Sequence, residues 1–515
     1  MLGALLVAQP LLAAPVAVND VRTVTQGATI TINVLANDYD PNGNSLSVPV
    51  SQTLSPSHGS AQVNSDGSIR YAPTAGYTGP DSFSYSILAG DESATGLVTI
   101  NVVPVNLERL GVGRNNKSIG AVVDDLCARL QDLSDAELGS GGIALLERCQ
   151  ALVELSRTDP GAVDHALRQI APEEVSAQIR QASEFFRSQG AAVAQRQAQL
   201  AGGYFGPSFN GYALVEGGIR GGAAGDESSP FSRFNFFASA LHGDQERDET
   251  RLEAGYDTNV RGLTLGADYR VQDNLFVGLA GGWTQSDLEF SGQGGGMDTD
   301  IYSIISYAVW YQDALSLDLQ LGYSATNYDT SRHIRYSAAG TSVDATAKGE
   351  TSGSQWSLSS QVQWDFNVQG YSIRPFGRFD YLFTDIDGYG ETNAAGWEIE
   401  IDDQQLSQLT LEAGLELSYA WSQSWGVLLP QGRISALSDV ASSRDKVYGR
   451  FAFDTDPTNK FRIDNDGEES LYYMLNLGAV AVLPHGFSTF FQYRHMLGYS
   501  DLDASQITLG LRYEM

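Results

Sequence analysis

The chain has 515 residues and a formal net charge of −31, with 62 acidic and 31 basic side chains and a pI near 4.4. That balance argues against nucleic acid and against an anionic lipid surface as partners, and no apolar run approaches the roughly 18 residues of a helical membrane span. Charged residues are only 18% while glycines number 55 and tyrosines 24, a composition that suits membrane-spanning strands with small residues inside and aromatic belts at the interfaces.

Residues 1–17 (MLGALLVAQPLLAAPVA) read as a secretory leader without its basic start, with Ala13, Ala14 and Ala17 as cleavage options. Residues 18–105 alternate over short segments such as 29–35 (TITINVL), separated by Asn-Gly, Asp-Gly and Gly-Pro signals. Short strands at this spacing predict a β-sandwich of the immunoglobulin type. The segments VLANDYDPNG (34–43), DGSIRY (66–71) and GYTGPDSFSY (76–85) resemble the cadherin-like, Ig-like repeats of bacterial surface proteins. Within this module Asp38, Asp40, Asn42 and Gly43 spell D-x-D-x-N-G, the start of a calcium loop of the EF-hand type. Position twelve is Pro49 rather than a bidentate glutamate, so a solvated Asx turn is the competing reading, and no other cofactor is expected.

Residues 106–174 change to helical spacing. Leu126, Leu130 and Leu133 share a face, as do Leu145, Leu152 and Leu155, and Ser134 with Glu137 reads as a helix start. The two cysteines of the chain, Cys127 and Cys149, fall on two such helices, and in an oxidising compartment a disulfide is expected. Residues 175–203 are rich in Ala, Gln and Arg. Directly before a barrel they are read as a helix threading the pore, with Arg180, Arg187 and Arg196 seeking carboxylates on a polar lumen wall. A surface helix of the linker is the alternative.

From 231 to 515 the alternation becomes long and regular. Leu315, Leu317, Leu319 and Leu321 face opposite to Asp318 and Gln320, and Leu409, Leu411 and Leu415 opposite to Thr410, Glu412 and Glu416. Twelve strands are predicted, near 233–246, 252–271, 274–290, 298–312, 315–332, 353–368, 371–387, 405–422, 425–438, 470–483, 486–498 and 505–515. Tight turns alternate with longer loops, as in outer-membrane barrels. The fold class is therefore mainly β: a C-terminal 12-stranded transmembrane barrel, a helical linker and an N-terminal sandwich. The stretches 255–270 (GYDTNVRGLTLGADYR) and 274–283 (NLFVGLAGGW) resemble the barrel of type V autotransporters, and ALRQIAPEE at 166–174 resembles the helical segment upstream of it. Thr508, Gly510, Tyr513 and Met515 fit the C-terminal signal for barrel assembly, although Met515 stands where an aromatic residue is usual.

The resemblance implies an outer-membrane chain whose barrel translocates and anchors a short Ig-like passenger for surface display, with adhesion as its role. It also implies outer-membrane lipid, the barrel assembly machinery and a surface ligand as partners, and a monomeric barrel. A porin-like channel with a periplasmic N-terminal module is the alternative. No G-x-S-x-G, H-E-x-x-H or C-x-x-C occurs, and the six histidines are scattered, so no catalytic residue is assigned and a non-enzymatic chain is expected. Glu412 and Glu416 are read as a charged lumen wall or as partners for the pore-helix arginines. Residues 171–204 hold neither Asn nor Asp, so cleavage by a cyclising side chain within the pore is not expected.

Overall fold

The computed structural model describes residues 13–514 apart from 27, 75–76, 104–105, 132, 202–232, 293, 445, 468–469 and 484–486. Two compact units emerge: residues up to Leu110 together with Leu152–Val163, and Gly111–Ala151 together with Asp164 onward. The helical stretch is thus shared between them.

In the first unit, β1 (Asp20–Thr25), β2 (Ile30–Ile32), β3 (Gly59–Val63), β4 (Ile69–Pro73), β5 (Gly79–Ala89) and β6 (Glu92–Val103) form two three-stranded sheets, ordered β1-β6-β5 and β2-β4-β3. Their inward residues make one core with Ile32, Ile69, Tyr71, Phe83, Tyr85 and Ile100. Buried Asp81 accepts the backbone N–H groups of Ser57 and His58 and the Tyr71 hydroxyl at 2.7 Å, so its charge is satisfied within the fold. The module starts earlier than the sequence boundary at residue 18, because Val16 already pairs with Tyr39 through two backbone hydrogen bonds of 2.8 and 3.1 Å.

The longer helices are α1 (Arg114–Leu130), α2 (Asp135–Thr158), α3 (Pro160–Ile170) and α4 (Ser176–Ala201). The Glu137 carboxylate accepts the N–H and hydroxyl of Ser134 at 2.8 and 2.6 Å, which is the glutamate half of a capping box at the start of α2. Cys127 of α1 and Cys149 of α2 are bonded, with their Cα atoms 5.4 Å apart.

The barrel consists of β7 (Phe234–Arg247), β8 (Tyr256–Gln272), β9 (Leu275–Phe290), β10 (Gly295–Gln312), β11 (Leu315–Ala338), β12 (Thr341–Trp364), β13 (Tyr371–Ile386), β14 (Gln404–Tyr419), β15 (Gly426–Arg444), β16 (Tyr472–Val482), β17 (Phe487–Leu497) and β18 (Leu502–Glu514). Each pairs antiparallel with its neighbour. The last strand returns to the first, Leu502 opposite Arg247 through Glu514 opposite Asn235, so the twelve-stranded sheet has no edge. Leu317, Leu319 and Leu321 are 42, 45 and 49% exposed on the outer face, while Ser316, Asp318 and Gln320 are each 4% exposed on the inner face. Apolar outside, polar inside and closed is the arrangement that lets a sheet cross a bilayer with every backbone group paired.

The long loops differ from the sequence expectation. Residues 332–352 were expected to be loop, yet β11 and β12 stay paired out to Ala338 opposite Thr341. This arm holds because its segments also alternate: Ile334, Tyr336, Val343 and Ala347 are buried on one side. The loops spanning 387–403 and 445–471 contribute Tyr389–Gly390, Ile399–Ile401, Val447–Phe451 and Phe461–Ile463 to a separate four-stranded sheet. Trp397, Phe451 and Phe461 form its core, with ring centroids 5.3 and 5.7 Å apart.

Candidate functional site: the plugged lumen

Alanine and glutamine dominate α4, so it is slim and carries polar groups around most of its circumference. Both features suit a helix enclosed by a polar wall. Ala177 and Ile179 pack with Tyr256, Phe290, Met297 and Leu406, at the end of the barrel that bears the long loops. Val193 and Leu200 pack with Phe237, Phe276, Tyr307 and Val309, at the end that bears the tight turns. The helix therefore runs through the lumen with its N-terminus at the long-loop end.

Polar contacts fix it along its length. Gln404 donates to Gln178 at 2.7 Å, Gln355 to the Ala182 carbonyl at 2.8 Å, and Gln189 to Thr284 at 2.9 Å. Gln197 donates to the carbonyls of Ala308 and Leu319 and accepts from Gln320.

The three arginines occupy three levels. At the long-loop end Arg180 grips Glu253 with two bonds of 2.6 Å, and Arg247 approaches the same carboxylate at 3.1 Å. Near the middle Arg187 pairs with Glu184 of its own helix at 2.8 Å and with Asp439 of β15 at 3.6 Å, and lies over the Tyr472 ring. At the tight-turn end Arg196 holds Asp268 with bonds of 2.6 and 2.7 Å, and Asn235 and Tyr307 donate to that carboxylate as well. Bidentate pairs with their remaining oxygens satisfied are the geometry in which a buried ion pair repays its desolvation.

Glu412 and Glu416 do not meet the helix arginines. Their partners are wall arginines: Arg433 at 3.0 Å from Glu412 and Arg374 at 2.9 Å from Glu416. Alternation had placed both carboxylates on the lumen face, but only the register between β13, β14 and β15 brings Arg374 and Arg433 beside them.

Above the long-loop end lies a cap that sequence reasoning missed. Asn115 of α1 accepts the Asp464 N–H at 2.8 Å and donates to the carbonyls of Asp464 and Leu252. Ser118 accepts the Arg462 N–H, and Arg129 contacts both oxygens of Asp454 at 2.9 and 2.8 Å. Gly396, at φ +103°, passes so close to α2 that a side chain there would strike the Ala144–Leu145 backbone. Arg332 of the arm binds Glu391 at 2.6 Å and donates to the Ile170 carbonyl just ahead of α4. The V-Y-G-R-F and F-R-I alternations at 447–451 and 461–463 were the available signal for this sheet.

The remaining candidate residues have these positions. Thr508 is 4% exposed toward the lumen, and Tyr513 faces outward with its ring 4.8 Å from Phe487. Gly510 lies opposite Phe490 in β17 and Ser239 in β7. Met515 is outside the described residues. Asp40 accepts from the N–H groups of Asn42 and Asn44, the Asx-turn arrangement. These bonds hold its carboxyl below the ordinary range against a partial desolvation. Asp38 accepts the Val18 N–H at 2.6 Å and contacts the Tyr85 hydroxyl, and Asn42 bonds to Ala13. Those side chains are thus engaged in closing the turn onto the sandwich.

The family model described as Autotransporter beta-domain matches residues 236–494, and that of the Bacterial Ig domain matches residues 13–101. The chain is 28% identical over 177 residues to Esterase EstA of Pseudomonas aeruginosa, covering 34% of this chain and 27% of that protein. It is 24% identical over 202 residues to Outer membrane protein B of Rickettsia rickettsii (38% and 12%) and 26% identical over 181 residues to an Extracellular serine protease of Serratia marcescens (34% and 16%). The matched segment therefore spans at most 27% of the length of these relatives. Similar solved structures include the translocator domain of autotransporter NalP from Neisseria meningitidis, at 15% identity over 64% of this chain and 98% of that one with a TM-score of 0.46. The beta domain of the Bordetella autotransporter BrkA aligns at 18% identity over 55% of this chain and 100% of that one, with a TM-score of 0.40. With the β-domain match spanning half of the chain, this protein belongs to the autotransporter family and is an outer-membrane protein whose C-terminal barrel is the translocator.

Proposed function

We propose that the barrel holds the chain N-terminal to α4 at the cell surface as a short, non-enzymatic passenger: an Ig-like module with disulfide-bonded helices that adheres to a surface ligand. The observation that carries this reading is the direction of α4. Its N-terminus lies at the long-loop end, which in outer-membrane barrels faces outward, so the chain preceding Ser176 leaves the pore on that side. The docking of α1 on the loop sheet through Asn115 and Arg129 supports the same direction. A porin-like role is disfavoured by a lumen occupied along its length by α4. The non-enzymatic reading rests on the absence from the sequence of a nucleophile elbow or metal-ligand motif; Esterase EstA and the Serratia protease are named for activities that those motifs do not support here. The closed sheet leaves no strand edge for self-association, in keeping with a monomeric barrel inserted in outer-membrane lipid by the assembly machinery. No cofactor is required. Protease added to intact cells tests the orientation: digestion of the Ig-like module supports display, and its protection in cells whose periplasm is sealed overturns it.

A further inference from the structure

The loop sheet buries one face and exposes the other. Ile399, Ile401, Val447, Phe451, Phe461 and Ile463 are buried, so alternation turns Glu400, Tyr448, Arg450 and Arg462 the opposite way. Tyr448 lies across from Arg462 and is 43% exposed. Glu400 lies across from Arg450 and pairs with it at 2.5 Å, and Asp402 takes Lys460 at 2.6 Å. The acids therefore stand on the side of Ile399–Ile401 and the bases on the side of α1.

Toward α1 the basic character continues. Arg462 pairs with Asp464 at 2.9 Å, and Arg114 is 3.8 Å from the same carboxylate with its side chain 74% exposed. Lys117 shares the Arg114 face of α1, and Lys446 precedes the strand Val447–Phe451. Both lysines are exposed, and neither makes an ion pair among the described residues. The first turn of α1 holds no acidic residue, so these bases sit at the end of a helix where its dipole disfavours them. The chain as a whole carries −31 and repels an anionic polymer over most of its surface. On this face the bases outnumber the acids.

The sheet also limits what kind of anion fits. Asn115 and Ser118 take the N–H groups of Asp464 and Arg462 at one edge, and beyond the other edge Thr392 pairs with Lys348 of the arm. An extended peptide finds no free backbone to pair with. Tyr448 is the one ring that this face exposes among the described residues, so nucleic acid finds no row of stacking platforms. A chain of sugars needs one ring surface and spaced cations.

We propose that this face docks an acidic polysaccharide of the surroundings: a sugar ring lies on Tyr448, while carboxylate or sulfate groups along the polymer meet Lys446, Arg462 and the first turn of α1. Adhesion then draws on the barrel's own loops as well as on the Ig-like module. Its use at the cell rests on the outward direction of the long-loop end proposed above; binding by the isolated protein does not.

The test measures binding of purified full-length protein in detergent, with heat-modifiable migration confirming the barrel of every variant. The probes are polygalacturonate and heparin, with dextran as the neutral control and single-stranded DNA as a different polyanion. Binding to the two acidic polysaccharides that weakens as salt is raised, with none to dextran, is expected. Lys446→Glu with Lys117→Glu should weaken it roughly tenfold, and since both side chains are exposed and unpaired the fold is spared. Tyr448→Ser removes the ring and no charge, so it should weaken binding without changing the salt dependence. Absence of binding at low salt, preference for DNA over both polysaccharides, a double lysine variant that binds as the wild type does, or a Tyr448→Ser protein indistinguishable from the wild type would each overturn the proposal. Binding by the purified protein but not by intact cells would overturn the outward orientation and leave the docking face standing.

Discussion

At the scale of single residues, the pairs that hold α4 are more consequential than their number. Asp268 is 2% exposed and receives Arg196, Asn235 and Tyr307 together. Removing Arg196 leaves that carboxylate buried with neutral donors alone, and breaking such a pair costs about 3–5 kcal/mol. Arg196→Ala should therefore lower the unfolding midpoint clearly, and Arg196→Ala with Asp268→Asn should recover much of the loss; two variants that are equally damaged without recovery would refute the coupling. Composition alone showed that the helix carries arginines in need of partners. It did not show that Glu253 and Asp268 would supply them, since these lie 73 and 72 residues away in the chain. Tyr513 belongs to the same scale. It faces outward against Phe487 at the final pairing of β17 with β18, and Tyr513→Asp places a charge on the lipid-facing side of the strand that closes the barrel. Loss of the heat-modifiable species from the outer membrane is expected; normal assembly of this variant would remove Tyr513 from the recognition signal.

At the scale of elements, the turn that leads from the cap into α4 is sensitive to pH. Burial pushes the carboxyls of both Glu173 and Glu174 from an ordinary value of 4.5 up to about 7. The Glu174 charge adds to the shift at Glu173, opposed by Asn115 and Arg168, and nearby Glu249 raises it further. At Glu174, Arg332 opposes burial while Glu391 adds to it. The folded state binds these protons more tightly than the unfolded one. Below the ordinary value both states are protonated and the docked turn keeps its full stability. That stability is lost as pH rises from about 4.5 to about 7 and changes no further above it, on the order of 3 kcal/mol for each group. Protection against hydrogen exchange at 164–175, taken relative to the intrinsic rate at each pH, should accordingly fall across that interval and level off, and Glu173→Gln with Glu174→Gln should flatten that protection profile. A profile unchanged by both substitutions would assign the effect elsewhere. The helices themselves were legible from their periodicity, as was the capping pair Ser134 and Glu137. Their docking was not, because it depends on Asn115 meeting Asp464 across 349 residues of chain.

At the scale of the whole molecule, the passenger should stay covalently attached. Cleavage within a pore needs a side chain that cyclises onto its own backbone, and between residues 171 and 204 the acidic choices are Glu173, Glu174 and Glu184 with no Asn or Asp. Glu184 is engaged with Arg187, and the first two lie ahead of α4. Envelope fractions probed for the Ig-like module should show one full-length band; a discrete barrel-only band in a strain lacking other surface proteases would contradict this. Sequencing of the mature N-terminus adds a check on the module's start. Since Val16 is already paired with Tyr39, a leader should be removed before Val16 and not after Ala17.

The barrel was written in the sequence because a bilayer permits so few solutions. Each spanning strand must present apolar residues to lipid at every second position and leave no backbone group unpaired, so Leu317, Leu319 and Leu321 against Asp318 and Gln320, repeated over twelve strands, exclude almost every other fold. The Ig-like module was legible for a related reason, since its turns carry Asn-Gly and Asp-Gly where the chain must reverse. What only the tertiary structure decided depends on register and closure, which local pattern does not contain. The pairing of Glu412 with Arg433 rather than with a helix arginine and the assembly of distant loops into the sheet that receives α1 both arise from contacts outside any local window of the sequence.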